Sequence, residues 1–213
     1  MSSHGTTLLY ALALVSAVLH IRAEYAGPRW VVYLCKPMTT GLILLAAALG
    51  PAPGGSVYRA AILVGLAFSL AGDVFLMLPG DRFLPGLASF LAAHLCYIAA
   101  FSSGTRLGLS PWTTLPLVLY GALLLPILWP HLGPMKGPVL IYMAVILAMT
   151  WRALSRWEQV GGTGTLLAAM GALLFVASDS SLALDRFRKP YPSAQLLIMS
   201  TYYAAQGLIA LSV

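Results

Sequence analysis

From Thr7 to Leu211 the chain is a succession of apolar runs, each about 15 to 21 residues long and divided by short connectors. At about 1.5 Å per helical residue, a run of that length crosses most of the roughly 30 Å hydrocarbon layer of a bilayer. Because the runs fill the whole length, no stretch is left for a separate soluble domain. The pattern predicts an all-α polytopic membrane bundle, with residues 1–213 forming one integral membrane domain. Composition agrees, at 60% hydrophobic and 8% charged residues and a mean hydropathy of +0.87. Eight spans are expected: Thr7 to Ile21, Trp30 to Leu49, Tyr58 to Leu78, Leu84 to Phe101, Trp112 to Trp129, Pro138 to Leu154, Thr165 to Leu184, and Ala194 to Leu211. The first lacks a basic leader region and a small-residue cleavage site, so it reads as a retained helix rather than a signal peptide. Connectors such as Pro51-Ala52-Pro53-Gly54-Gly55, Pro79-Gly80-Asp81 and Gly161-Gly162-Thr163-Gly164 are turn-forming and short, which implies antiparallel neighbours.

The net charge is +6, but the basic residues gather at segment ends, as in cytoplasmic loops, and a nucleic-acid partner is not expected. With eight spans, both termini share a side. Seven basic residues (Arg22, Arg29, Arg82, Lys136, Arg186, Arg188, Lys189) fall on the side away from the termini, and four (Arg59, Arg106, Arg152, Arg156) on the terminal side. The positive-inside rule places the seven in the cytoplasm and both termini outside it. Short loops and abundant Ala, Gly and Leu suit a bacterial inner membrane. Cys35 and Cys96 fall within apolar runs, where a buried thiol is expected rather than a disulfide or metal pair.

Charged side chains inside such runs need a reason. Asp73 lies in the third span, Asp179 in the seventh and Lys36 in the second, each roughly 7 to 9 Å below the same membrane face. His94 and Tyr203 enter from that face at about 14 to 15 Å. An intramembrane carboxylate costs roughly 2.5 to 3.5 kcal/mol on insertion scales, so it is expected to be paired, protonated or turned to a polar cavity. Two aspartates sharing one lysine should differ in protonation, which suits general acid catalysis beside a charge-stabilising partner. The competing readings are a snorkelling Lys36, a structural ion-pair cluster and a His94 that merely packs. Ser69 lies one turn before Asp73, with Gly65 and Gly72 nearby, and Pro37 frees the carbonyl of Tyr33 beside Lys36. His94 with Tyr97, and Tyr203 with Gln206, share faces at three-residue spacing. The four histidines show no HxxxH or HExxH spacing and no GxSxG occurs, so neither a metal nor a serine nucleophile is expected, nor any cofactor. The run Asp185-Arg186-Phe187-Arg188-Lys189 reads as an ordinary basic loop or as a contact for lipid phosphate.

The halves also resemble each other. Leu70-Ala71-Gly72-Asp73 matches Val176-Ala177-Ser178-Asp179 at a displacement of 179 − 73 = 106 positions, which also carries Tyr97 onto Tyr203. A 4+4 parallel repeat is one reading, and chance likeness between apolar helices is the other.

Lys36-Pro37, Gly72-Asp73-Val74-Phe75-Leu76-Met77, His94-Leu95-Cys96-Tyr97, Ser178-Asp179 and Tyr202-Tyr203-Ala204-Ala205-Gln206, in this order, resemble the YhhN-like membrane proteins, which include the lysoplasmalogenases. The resemblance implies hydrolysis of the vinyl ether bond of lysoplasmalogens to a fatty aldehyde and a glycerophospho-ethanolamine or glycerophosphocholine. Its partners would be a lysophospholipid substrate and the surrounding membrane lipids. It implies that Asp73 and Asp179 divide the catalytic roles, in an order left open. Lys36 would keep one of them ionised or meet the phosphate, and His94, Tyr97, Tyr202, Tyr203 and Gln206 would position water and headgroup. The principal alternative is a small transporter or lipid receptor that binds through the same Lys and Asp residues. A metal-dependent lipid amidase is a weaker one.

Overall fold

The computed structural model describes residues 3–51, 55–108 and 110–213, so the Ala52-Pro53-Gly54 part of the second connector lies outside the described residues. Among them are eight long helices and no strand: α1 (Ser3–Ala26), α2 (Arg29–Leu49), α3 (Ser56–Met77), α4 (Phe83–Ser102), α5 (Pro111–Leu128), α6 (Lys136–Val160), α7 (Thr163–Ala183) and α8 (Ala194–Leu211). Each belongs to a segment long and apolar enough to cross a membrane. Two short 3₁₀ turns, Trp129–His131 and Gly133–Met135, join α5 to α6. A π-helical turn, Leu184–Arg188, prolongs α7.

The expected spans match these helices, and the largest differences are in α1 and α6, which run beyond the predicted Ile21 and Leu154. Hydropathy marks where a helix leaves the apolar layer, whereas helical hydrogen bonding stops only where the backbone is interrupted. Gly27-Pro28 ends α1, and Gly161 and Gly162, with φ of +69° and +87°, make the turn after α6 in a conformation that L side chains rarely adopt.

Helices α2, α3, α4, α6, α7 and α8 form a closed ring, each packed on the next, with α8 returning to α2. Helix α1 lies in the groove between α2 and α8, whereas α5 packs on α6 and the π-helical turn at the periphery. The ring's two tightest pairs, α3 with α4 and α7 with α8, close over glycines. A methyl group at Gly65 would run into the Tyr97 ring, and one at Gly171 would stand 2.9 Å from the Ala205 carbonyl oxygen. Small residues of this kind let membrane helices approach where no hydrophobic drive between helices exists. Phe175 forms the centre of the core, edge-on to Phe90, His94 and Tyr202.

Candidate active site

Asp73 sits on the small-residue face of α3, 1% exposed. Its Oδ2 accepts two hydrogen bonds, from Thr40 Oγ1 on α2 at 2.6 Å and from Tyr202 Oη on α8 at 2.7 Å. Thr40 reaches it because it stands one turn beyond Lys36, on the inward stripe of α2 that also holds Thr39. O–H donors converging on one oxygen are complementary to negative charge. Asp179, on α7, accepts a single hydrogen bond among the described residues, on Oδ2 from Tyr142 Oη of α6 at 2.5 Å. Next to it, Ser178 Oγ donates to the Ile198 carbonyl at 3.0 Å and ties α7 to α8.

Both carboxylates face one cavity of about 510 Å³ between α2, α3, α4, α7 and α8. Lys36 and Tyr202 line it too, and Asp81, Arg82, Asp185 and Arg186 stand around its mouth at the connectors. Arg186 Nη2 holds Asp81 Oδ2 at 2.6 Å across that mouth. Lys36 is buried, yet among the described residues no ion pair joins it to either aspartate. The hydroxyl groups are thus in direct contact with the carboxylates, while the Lys36 ammonium acts on Asp73 through its charge from beyond ion-pair contact. The ammonium lines the same cavity, where an anion could meet it.

The other expected residues are placed differently. His94, Tyr97, Tyr203 and Gln206 do not line this cavity but pack behind it. Tyr97 Oη donates to Gln206 Oε1 at 2.8 Å and lies 3.5 Å from Ser69 Oγ. His94 is wedged between Phe175 and Tyr142, with ring centroids 4.7 and 5.2 Å away. Neither of its ring nitrogens has a hydrogen-bond partner among the described residues. Tyr203 Oη is 3.0 Å from His20 Nδ1, and His20 Nε2 is 3.3 Å from Glu24 Oε1 near the end of α1. The single expected layer is therefore two: a cavity wall of Lys36, Asp73, Asp179 and Tyr202, and a packed shell that fixes the helices carrying it.

Thr40, Tyr142 and the His20–Glu24 pair escaped sequence reasoning. A hydroxyl in an apolar helix carries little signal, because it satisfies itself on its own backbone, as Thr150 does on Ile146. One clue existed for Tyr142, which stands at 36 + 106, the position matching Lys36 in the second half. Another existed for His20 and Glu24, at four-residue spacing on one helical face. Among the described residues, no three His, Cys, Asp or Glu side chains gather as a metal cluster.

Residues 31–213 match the sequence profile of the YhhN family. The chain is 43% identical over 197 residues to "Lysoplasmalogenase TMEM86A" of Bos taurus, a match covering 88% of this chain and 80% of that protein. It is 38% identical over 199 residues to the Homo sapiens protein of the same name, with 88% and 80% covered. "Uncharacterized membrane protein YhhN" of Escherichia coli O157:H7 is 33% identical over 200 residues, with 93% and 94% covered. No solved structure gives a significant match.

Proposed function

The chain belongs to the YhhN family, and from that premise and the cavity it encloses we propose a lysoplasmalogenase acting on a lysophospholipid drawn from the membrane. The observation that carries the reading is the pair Asp73 and Asp179, brought from two helices to one cavity that Lys36 also lines. Vinyl ethers hydrolyse through slow protonation of the β-carbon, which leaves an oxocarbenium ion for water to capture. The hemiacetal then collapses to an aldehyde and an alcohol. Such a course requires a positioned acid, an anion beside the cation and a guided water, much as a glycosidase uses two carboxylates. Asp73 and Asp179 have the chemistry for the first two roles. Lys36, with Arg82 at the mouth, fits the phosphate of the headgroup by charge. The products are a fatty aldehyde and a glycerophospho-ethanolamine or glycerophosphocholine.

The test is incubation of the purified chain in detergent with a 1-alkenyl lysophospholipid, with free aldehyde as the readout. Release that falls steeply in Asp73→Asn and in Asp179→Asn supports the reading. Binding of the lipid without any aldehyde would instead make the chain a carrier or receptor.

A further inference from the structure

Asp179 differs from Asp73 in one respect that hydrogen bonding does not reveal. Asp73 lines the polar cavity, whereas Asp179 lines it and also two narrow apolar clefts of about 40 and 50 Å³. The first cleft shares Leu76, Phe83, Phe90 and Leu182 with the cavity. The second shares Val139, Tyr142 and Ala183 with the first, and continues between α5, α6 and α7 to Tyr120, Leu147 and Val176 near the middle of those helices. The three spaces adjoin one another through these shared residues, from the polar mouth towards the middle of the helices, with Asp179 on the wall of each. Over the path, α5 is only loosely seated, and its Leu119 and Leu123 are 53% and 70% exposed. Tyr120 Oη, which donates to Ser180 Oγ at 2.6 Å, is its polar link to α7.

We propose that the aliphatic chain of the substrate runs past Asp179 into this α5–α6–α7 groove, so that the vinyl ether stands at Asp179 and Asp179 delivers the proton. This rests on the hydrolase reading above. A single unbranched lipid chain is the occupant assigned to it, because the groove is apolar, lies at bilayer depth and adjoins a cavity suited to a zwitterionic headgroup; the clefts must widen at the peripheral helix α5 to admit it. In the substrate the enol ether is the boundary between the polar and apolar parts, and Asp179 stands at the same boundary in the protein. The β-carbon lies on the chain side of that bond and the ether oxygen on the glycerol side.

Tyr142 occupies Asp179 Oδ2 and leaves Oδ1 without a partner among the described residues. The proton moves from the Asp179 carboxyl to the β-carbon, and the C=C electron pair forms that C–H bond. The ether oxygen shares its lone pair with the α-carbon, and Asp73, as carboxylate, faces the cation. Water adds to the α-carbon and gives its proton to Asp73. Asp73 then returns a proton to the departing glycerol oxygen while Asp179 takes the hydroxyl proton of the hemiacetal. The C–O bond breaks, the aldehyde forms and both carboxyls regain their starting states.

The test uses a saturated alkyl lysophospholipid with a diazirine at the end of its chain, photolysed with the full-length protein and mapped by mass spectrometry. Labelling is expected on residues 119–128, 139–147 and 176–183. Labelling instead at the separate groove of α1, α2 and α8, lined by Tyr10, Ala17 and Gly207, overturns the proposal. Met143→Trp and Val176→Phe are expected to raise KM several-fold for long-chain substrates and to spare short-chain ones. An unchanged chain-length profile in both variants, each still binding the probe, overturns it too. Residual turnover of Asp179→Asn is expected to climb as the medium is acidified, since hydronium replaces the missing donor, and that of Asp73→Asn is not; the reverse pattern overturns the assignment. If the wild type releases no aldehyde, the hydrolase reading fails, while the labelling still reports on the groove by itself.

Discussion

At the level of single residues, the two aspartates differ in the company they keep. Asp73 accepts hydroxyls from α2 and α8, and Asp179 accepts one from α6. General acid–base groups contribute about 10²- to 10⁴-fold to rate, so each Asp→Asn variant is expected to lose turnover on that scale while keeping its fold. Hydrogen bonds between membrane helices contribute only about 0.6 kcal/mol on average. If Thr40 and Tyr142 served packing alone, Thr40→Val and Tyr142→Phe would cost little of anything. As partners of the carboxylates they should cut kcat at least tenfold with a thermal midpoint shifted by only a few degrees, measured on the same detergent-purified samples. Lys36→Met should raise KM more than it lowers kcat, with Lys36→Arg restoring part of the loss, because the ammonium is assigned to the phosphate. Lys36, Asp73 and Asp179 were legible in the sequence because charge inside an apolar run is costly enough to demand a purpose. Their hydroxyl partners were not, since a threonine or tyrosine in a membrane helix is common and its direction depends on packing.

Elements show the same division. Hydropathy located all eight helices, and the corrections at α1 and α6 come from polar extensions that keep helical geometry beyond the apolar layer. A charged residue just inside the expected end of α6 has a structural use. Arg152 of α6, 2% exposed, donates from Nε to Ser102 Oγ and from Nη2 to Thr105 Oγ1, at 2.9 and 2.5 Å, and from Nη1 to the Arg106 carbonyl at 3.3 Å. It thereby fastens the end of α4 and the following loop to α6. Hydrogen bonds to charged groups contribute about 1.5 to 3 kcal/mol each, so Arg152→Leu should lower the unfolding midpoint clearly while leaving KM unchanged, at the face opposite the cavity. The close pair α3–α4 offers a second check at this scale. Gly65→Val would force the Tyr97 ring away and disturb its bond to Gln206, and overpacking of this kind costs about 1 to 3 kcal/mol. Thermal unfolding should register it, and Gly65→Ala should register it less. Which helices pair, and over which glycines, could not be read from the hydropathy that found them.

For the molecule as a whole, the pairings α1–α2, α2–α3, α3–α4 and α2–α8 recur as α5–α6, α6–α7, α7–α8 and α6–α4. That recurrence is what a parallel duplication would produce, with Gly65 and Gly171 again 106 positions apart. The departure is α5, which stays outside the ring while α1 nestles against α8. Eight spans put the termini on one side and the cavity mouth on the other; the orientation expected from the loop charges, with the mouth in the cytoplasm, can be tested directly. In a background lacking Cys35 and Cys96, Lys189→Cys should react with an impermeant maleimide only after cells are opened, and Leu107→Cys in intact cells. Asp179 stands on a wall common to the polar cavity and the two apolar clefts. If the proposed cleavage takes place at that wall, it would also sort the products: the glycerophospho fragment would leave toward the aqueous loops, and the aldehyde would be left already dissolved in the bilayer. Turnover then need not wait for a hydrophobic product to climb out through the headgroup layer. Whatever next oxidises or reduces that aldehyde must meet it in the membrane.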